Sequence, residues 1–349
     1  MRNAWRCRVG RILVAGSVLV AGAMATSSAP AARADEAAPV LRDGAGEVVL
    51  LDQLSDLDRI EVRVHGLDLA PTGHHYRVWA IDDGGVARYL ADAVPDAGGS
   101  HFLGWNQPAG ENLLAQVNEV VVTLEAGAAG TAPGGAVVRS GRFDAAAIAQ
   151  VRRLLSRWPG SRYGTASIQG LRRHGEIAHE LALTLREAAE AGDLAGARRK
   201  AEHLVNLVEG QSGRFYADHD GDGRIEDPGD GTGYLAYGWG ALEQSQFVWA
   251  TAVDESLAAA ALAIQEPVTF GLDSAGSVRD AGIAVATGSD AATIRDLAGQ
   301  LVVLTDSMMA AADTQGDAGL VAVLDARGLT SAASRARALV RIPLAEAGR

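Results

Sequence analysis

The chain has 349 residues and a formal net charge of -12, with 43 acidic against 31 basic side chains. Such an acidic chain is a poor partner for nucleic acid, and no nucleic-acid partner is expected. The single cysteine, Cys7, excludes a disulfide scaffold and any site built from several cysteines.

The first 34 residues predict a secretory signal. Four arginines are followed by an apolar run of residues 12–25, and the small residues of "ARA" end at Ala34. Because the run is shorter than the roughly twenty residues that span a bilayer, we expect cleavage after Ala34 and an extracytoplasmic location (secreted, periplasmic or cell surface). An uncleaved N-terminal anchor is the alternative. The later sequence contains no apolar run of transmembrane length.

Residues 35–143 alternate apolar and polar side chains with period two, which predicts an antiparallel β-sandwich. The predicted strands are "EVVLLD", "IEVRVHGL", "HHYRVWAI", "SHFLGW" and "NEVVVTLE", separated by clusters of turn-forming residues.

Residues 144–341 change to alanine and leucine at helical spacing, which predicts an α-helical bundle. Predicted helices begin at Asp144 and cover 167–191, 193–209, 238–265, 290–312 and, more weakly, 319–341. The Gly/Ser-rich stretch 270–289 is predicted to be a loop, and 342–349 a tail. The fold class is therefore β plus α in two domains.

Three segments of the β half resemble a known family: "YRVWAIDDGG", "GSHFLGW" and "VVVTLEAGAAGTAPGGAVV". They are similar to the extracytoplasmic C-terminal domain of the anti-sigma-K factor family, over about residues 48–138. The resemblance implies a module outside the cytoplasm that receives a signal. It implies no sigma-factor binding, because the cytoplasmic domain of that family has no counterpart here.

The stretch "DHDGDGRIEDPGDG", residues 218–231, resembles an EF-hand calcium loop in its first half. Gly229 stands where that loop has its bidentate glutamate, and Asp227 or Asp230 would replace it. A solvated acidic turn is the alternative. The sequence predicts a structural Ca²⁺ site with these ligands: Asp218, Asp220, Asp222, the carbonyl of Arg224, Asp227 and Asp230.

A second candidate site lies on the helical hairpin 167–209. Glu176 and His179 form one E-x-x-H unit, and His203 falls at nearly the same height on the next helix. Together with Glu202 or His174 they would suit Zn²⁺ or Cu²⁺. Histidines packed at a helix interface are the alternative.

No catalytic motif is visible, so the chain is not expected to be an enzyme. The sequence favours a binding or sensor-type protein with an unidentified extracytoplasmic ligand or protein partner. One alternative is a metal-dependent or redox protein that uses the His/Glu cluster. The other is a membrane-retained regulator of the anti-sigma type.

Overall fold

The computed structural model describes residues 46–52, 55, 57–309 and 336–346. Within these residues the chain forms nine strands, numbered in chain order: β1 Gly46–Leu51, β2 Arg59–Val64, β3 His74–Asp82, β4 Ala87–Ala93, β5 His101–Asn106, β6 Val117–Ala126, β7 Ala136–Arg142, β8 Arg341–Pro343 and β9 Ala345–Glu346. The predicted signal segment lies outside the described residues.

The strands form two antiparallel sheets, with strand orders β5-β2-β1-β8 and β4-β3-β6-β7-β9. In β1 and β2 the buried residues alternate with partly exposed ones, and the register places Val48 opposite Val62 and Leu50 opposite Ile60. The period-two pattern therefore marks a single apolar face of this sheet, as it does in half-buried strands generally.

Strand β3 is buried along its middle, from Tyr76 to Ala80, with polar side chains included. Trp79 is fully buried, and its indole N–H lies 3.0 Å from the hydroxyl of Thr123 and 3.1 Å from a carboxylate oxygen of Glu125, both of which accept it. Arg77 donates to Glu125 at 2.8 Å. This side of the second sheet thus buries a polar network instead of facing water.

Six α-helices lie in the described residues: α1 Ile148–Leu155, α2 Ser167–Glu190, α3 Leu194–Glu209, α4 Tyr234–Thr251, α5 Glu255–Ala286 and α6 Ala291–Met309. The predicted hairpin of α2 and α3 is confirmed. Gly192 turns the chain at a φ of 77°, and the Asp193 carboxylate accepts the Gly196 N–H at 2.9 Å as the cap of α3.

The prediction of a loop over 270–289 was wrong for most of its length, because residues 270–286 belong to α5. The predicted single helix 238–265 is instead divided near Asp254, whose carboxylate caps α5 through the N–H groups of Ser256 and Leu257. Gly282 is buried against α3, and a methyl group on it would lie 2.8 Å from Val205. The glycine in this stretch therefore permits close helix packing and does not mark a loop.

The C-terminal segment also differs from its prediction. Residues 337–340 form one 3-10 turn, and residues assigned to a tail lie in β8, beside β1, and in β9, beside β7. The rest of the predicted helix 319–341 lies outside the described residues.

The described residues of both halves fall within one compact unit. Buried side chains of both sheets and of the helices belong to one hydrophobic cluster. No helix in the described part of the chain has the length and hydrophobicity to cross a membrane. The two-domain division at residue 143 stays a prediction.

Candidate metal centre

The connection between α3 and α4, residues 210–233, is held in place by a polar stripe on α3. Glu202, Asn206 and Glu209 follow one another at spacings of four and three, so they lie along the same side of the helix. All three are buried, with Glu202 only 2% exposed. Buried polar groups need partners, and the connection supplies them.

Glu202 binds the backbone of the acidic loop directly. One of its oxygens accepts the N–H groups of His219 at 2.8 Å and Asp220 at 3.1 Å, and the other accepts that of Glu226 at 3.2 Å. A single carboxylate thus satisfies three backbone donors on both sides of the loop tip. Since hydrogen bonds to an ionised acceptor are stronger than neutral ones, Glu202 is the main anchor of the loop.

Asn206 and Glu209 extend this anchoring toward the end of α3. The Asn206 amide donates to the carbonyls of Ala217 and Glu226, and its oxygen accepts the Ala217 N–H. Glu209 accepts the Phe215 N–H at 3.3 Å. The backbone of an irregular loop is therefore paired with side chains of a regular helix, which gives the loop one conformation.

The tip of the loop is a series of aspartate turns. Asp218 accepts the N–H groups of Gly221 and Gly223, one on each oxygen, at 2.7 and 2.8 Å. Asp220 accepts the Asp222 N–H at 3.0 Å. Gly221 and Gly223 have φ values of 78° and 86°, a conformation that L side chains rarely adopt. The alternation of aspartate and glycine thus has a local structural cause.

Three carboxylates converge at this tip. Glu202, Asp218 and Asp220 each offer an oxygen within 4.8 Å of the other two, and within the described residues this is the one group of three or more metal-binding side chains that meets that limit. Asp218 and Asp220 are predicted ligands. Glu202 is instead an optional ligand of the predicted histidine site, and it lies on α3 before the loop.

The other predicted calcium ligands have different partners. Asp222 accepts the Arg224 N–H, and its second oxygen lies 3.8 Å from Nε of Arg199. Asp227 accepts the Gly229 N–H, and burial raises the pKa of its carboxyl group. Asp230 lies beside a buried histidine on α2. None of Asp222, Asp227 and Asp230 belongs to the group of three.

The residues predicted to bind a transition metal are not brought together. Glu176 is half exposed and pairs with Arg172 on its own helix at 3.7 Å. His179 lies 3.3 Å from the hydroxyl of Thr305 on α6.

The third of these residues, His203, faces the loop. Its Nε2 lies 2.8 Å from a carboxylate oxygen of Glu226, and this hydrogen bond holds the pKa of Glu226 below its usual value. His203 therefore acts with Glu202 and Asn206 in holding the loop.

The geometry of the group of three suits a hard divalent cation. Carboxylate oxygens are the ligands that Ca²⁺ and Mg²⁺ prefer, and Ca²⁺ takes six to eight oxygens. Three carboxylates and nearby loop carbonyls or water would supply them.

None of the comparisons with protein-family models, with curated proteins and with solved structures gave a match.

Proposed function

We propose that the chain is an extracytoplasmic binding or sensor-type protein whose helical part is stabilised by a Ca²⁺ ion at Glu202, Asp218 and Asp220. The observation that carries the calcium site is the convergence of these three carboxylates within 4.8 Å. Like charges at this separation repel one another, and a bound cation turns that repulsion into attraction. The ion would join helix α3 to the loop that follows it, which is a structural role.

The proposed architecture is a β-sandwich similar to the outer domain of anti-sigma-K factors, joined to a helical bundle. The two antiparallel sheets and six α-helices of the described residues are compatible with this arrangement. The support for an extracytoplasmic location is the apolar run after four arginines near the N-terminus. The protein is proposed to act by binding an extracytoplasmic ligand or partner, without catalysis and without binding a sigma factor.

Elemental mass spectrometry of the purified chain after mild dialysis tests the calcium site, followed by thermal melts in EDTA and in added Ca²⁺. We expect stoichiometric calcium and a melting temperature that falls in EDTA, since a ligand that binds only the folded state stabilises it by about 2.7 kcal/mol at one hundred times its Kd. Asp218→Asn combined with Asp220→Asn should abolish the calcium-dependent rise.

Asp296→Asn, an exposed acid on α6, serves as the matched control and should keep the full rise. Calcium-free protein whose melt is the same in EDTA and in Ca²⁺ would contradict the proposal and leave a solvated acidic turn.

The alternative of a metal-dependent or redox protein built on Glu176, His179 and His203 has less support, because these side chains have three separate partners. Zinc or copper bound to the purified protein and lost in both His179→Ala and His203→Ala would favour it. The alternative of a membrane-retained regulator requires the N-terminal segment to stay uncleaved, and N-terminal sequencing of the exported protein tests it.

A further inference from the structure

Helix α4 presents three aromatic side chains to solvent. Trp239 is 60% exposed, Phe247 48% and Trp249 52%. With about 100° of rotation per residue, Phe247 and Trp249 fall about 80° to either side of Trp239 around the helix. All three therefore lie on the outward half of α4, which we call the aromatic face.

The rest of the aromatic face has little polarity. Leu242, Gln246 and Ala250 lie on the same outward arc, and Glu243 is the one charged residue of the whole helix. Leu262 on the neighbouring α5 is also half exposed. A helix that is apolar on all sides is normally buried on all sides, and a contiguous exposed apolar patch marks an interaction surface.

Two helices border the aromatic face on opposite sides. A methyl group on Gly240 would lie 2.6 Å from the indole ring of Trp158, which follows α1. A methyl group on Gly238 would lie 2.5 Å from the side chain of Leu272 on α5. Because these two glycines point about 160° apart around α4, α1 lies on one side of the face and α5 on the other.

These two borders carry opposite charges. Arg153 and Arg157 are exposed on the α1 side, and α1 contains no acidic residue. Glu255, Glu266 and Asp273 are exposed on the α5 side, where the first half of α5 contains no basic residue. An aromatic face with one basic border and one acidic border is complementary in charge to a second copy of itself.

We propose that the aromatic face binds a second copy of this chain, in a symmetric dimer whose two-fold axis runs parallel to α4. Such an axis places α1 of each copy opposite α5 of the other, so a basic border meets an acidic one on both sides. An axis across α4 would instead place basic borders against each other. The exposed tryptophans suit the centre of the interface, where this residue type contributes most to binding.

The same axis gives a specific ion pair between the copies. Both α1 and α5 begin beside the C-terminal end of α4. Arg153 lies five residues before Trp158 and Glu266 six residues before Leu272, so the two charges are at about the same height along α4. A two-fold axis parallel to α4 keeps that height, and Arg153 of each copy therefore faces Glu266 of the other.

Sedimentation equilibrium of the exported chain over a range of concentrations tests this surface. We expect a monomer–dimer equilibrium, and Trp239→Glu and Trp249→Glu should each weaken it by at least about tenfold, since both place a charge in an apolar interface. Phe102→Glu is the matched control, because it replaces a similarly exposed aromatic residue on β5 and should leave the equilibrium unchanged. Circular dichroism of each variant shows whether it is folded.

Exchanging the border charges tests the direction of the axis. Arg153→Glu and Glu266→Arg should each weaken the dimer, and the two changes together in one chain should restore it. A folded wild-type chain that stays monomeric would overturn the proposal, and its sedimentation with phosphatidylcholine vesicles would assign the aromatic face to a lipid surface. A dimer that survives both tryptophan variants, or that the charge exchange fails to restore, would overturn it as well.

Discussion

At the scale of single residues, ionic side chains are of two kinds: buried ones with several partners, and partly exposed ones with a single partner. Strand β6 carries one of each kind. Glu125 is 5% exposed and is bound by Arg77, Thr123 and Trp79. Glu119, on the same strand, pairs with the exposed Arg142. The two pairs have the same chemistry in different surroundings, so they can be compared directly.

We expect Glu125→Gln to lower the free energy of unfolding by about 3 kcal/mol at neutral pH, because it leaves Arg77 buried without its main counterion. Glu119→Gln should cost less than about 1 kcal/mol, as exposed pairs do. Urea denaturation measures both values. Equal losses in the two variants would contradict the assignment of a buried network.

The pKa of Glu125 also predicts how the free energy of unfolding changes in acid. Burial acts to raise the pKa of Glu125, but hydrogen bonds from Thr123 and Arg77 outweigh it, and the folded-state pKa lies below the usual glutamate value of 4.5. Its stabilising effect is therefore present above pH 4.5 and is lost as pH falls through the folded-state pKa. Below pH 4.5 the free energy of unfolding should fall less steeply in Glu125→Gln than in the wild type. Parallel curves would contradict this.

Glu202 provides a third prediction at this scale. In Glu202→Gln one carboxylate oxygen becomes an NH₂ group, which meets backbone donors instead of accepting from them. We expect a loss of about 1–3 kcal/mol in calcium-free buffer and loss of the calcium-dependent rise in melting temperature. Glu176→Gln, an exposed control on α2, should change neither quantity.

The sequence placed Asp218 and Asp220 in the candidate calcium site but not Glu202. Aspartates at alternate positions around a glycine are a local pattern, whereas Glu202 lies on a helix sixteen residues before Asp218 and meets the loop only after folding. The spacing of Glu202, Asn206 and Glu209 on one helix face is the signal that was available in the sequence.

At the scale of elements, periodicity located most helices and strands, and glycine content caused the main error. Helix α5 contains Gly271, Gly276 and Gly282 and extends for 32 residues. Glycine disfavours an isolated helix, but at Gly282 it allows α3 and α5 to approach closely. Tertiary packing of this kind cannot be inferred from one segment alone.

Substitutions at two glycines of α5 should therefore have opposite effects on the stability of the protein. Gly282→Val should cost about 1–3 kcal/mol, because its side chain overlaps Val205. Gly276→Ala should instead stabilise by about 0.5–1 kcal/mol, since nothing lies within 4 Å of the added methyl and alanine favours the helix. Thermal unfolding by circular dichroism compares the two. Destabilisation by both would contradict this account of the packing.

At the scale of the whole molecule, the two sheets and the helices share one set of buried contacts. Ile342 on β8 is 2% exposed and lies opposite Val48 of β1. Composition predicted a change from β to α near residue 143, which agrees with the elements of the structure. It could not predict that strands after the helices join both sheets, because such short strands have no periodicity of their own.

We expect Ile342→Ala to destabilise by about 2–5 kcal/mol, the range for a large apolar side chain removed from a core. Arg341→Ala, its exposed neighbour, should cost less than about 1 kcal/mol. During unfolding, the helix ellipticity and the near-ultraviolet circular dichroism of the buried aromatic residues should decrease together in one transition. Two separate transitions would instead support the division into two domains.

The pairing of β1 with β8 has a consequence for the order of events during synthesis. Glu47 and Val49 leave the ribosome long before their partners Pro343 and Arg341 are made. Until then one edge of the first sheet and one edge of the second, at β7, lack the strand that covers them. Unpaired edges invite association with other chains, and distant pairings are slow to form. A nascent chain of this protein therefore leaves β1 and β7 without a neighbour on one side until β8 and β9 have been made.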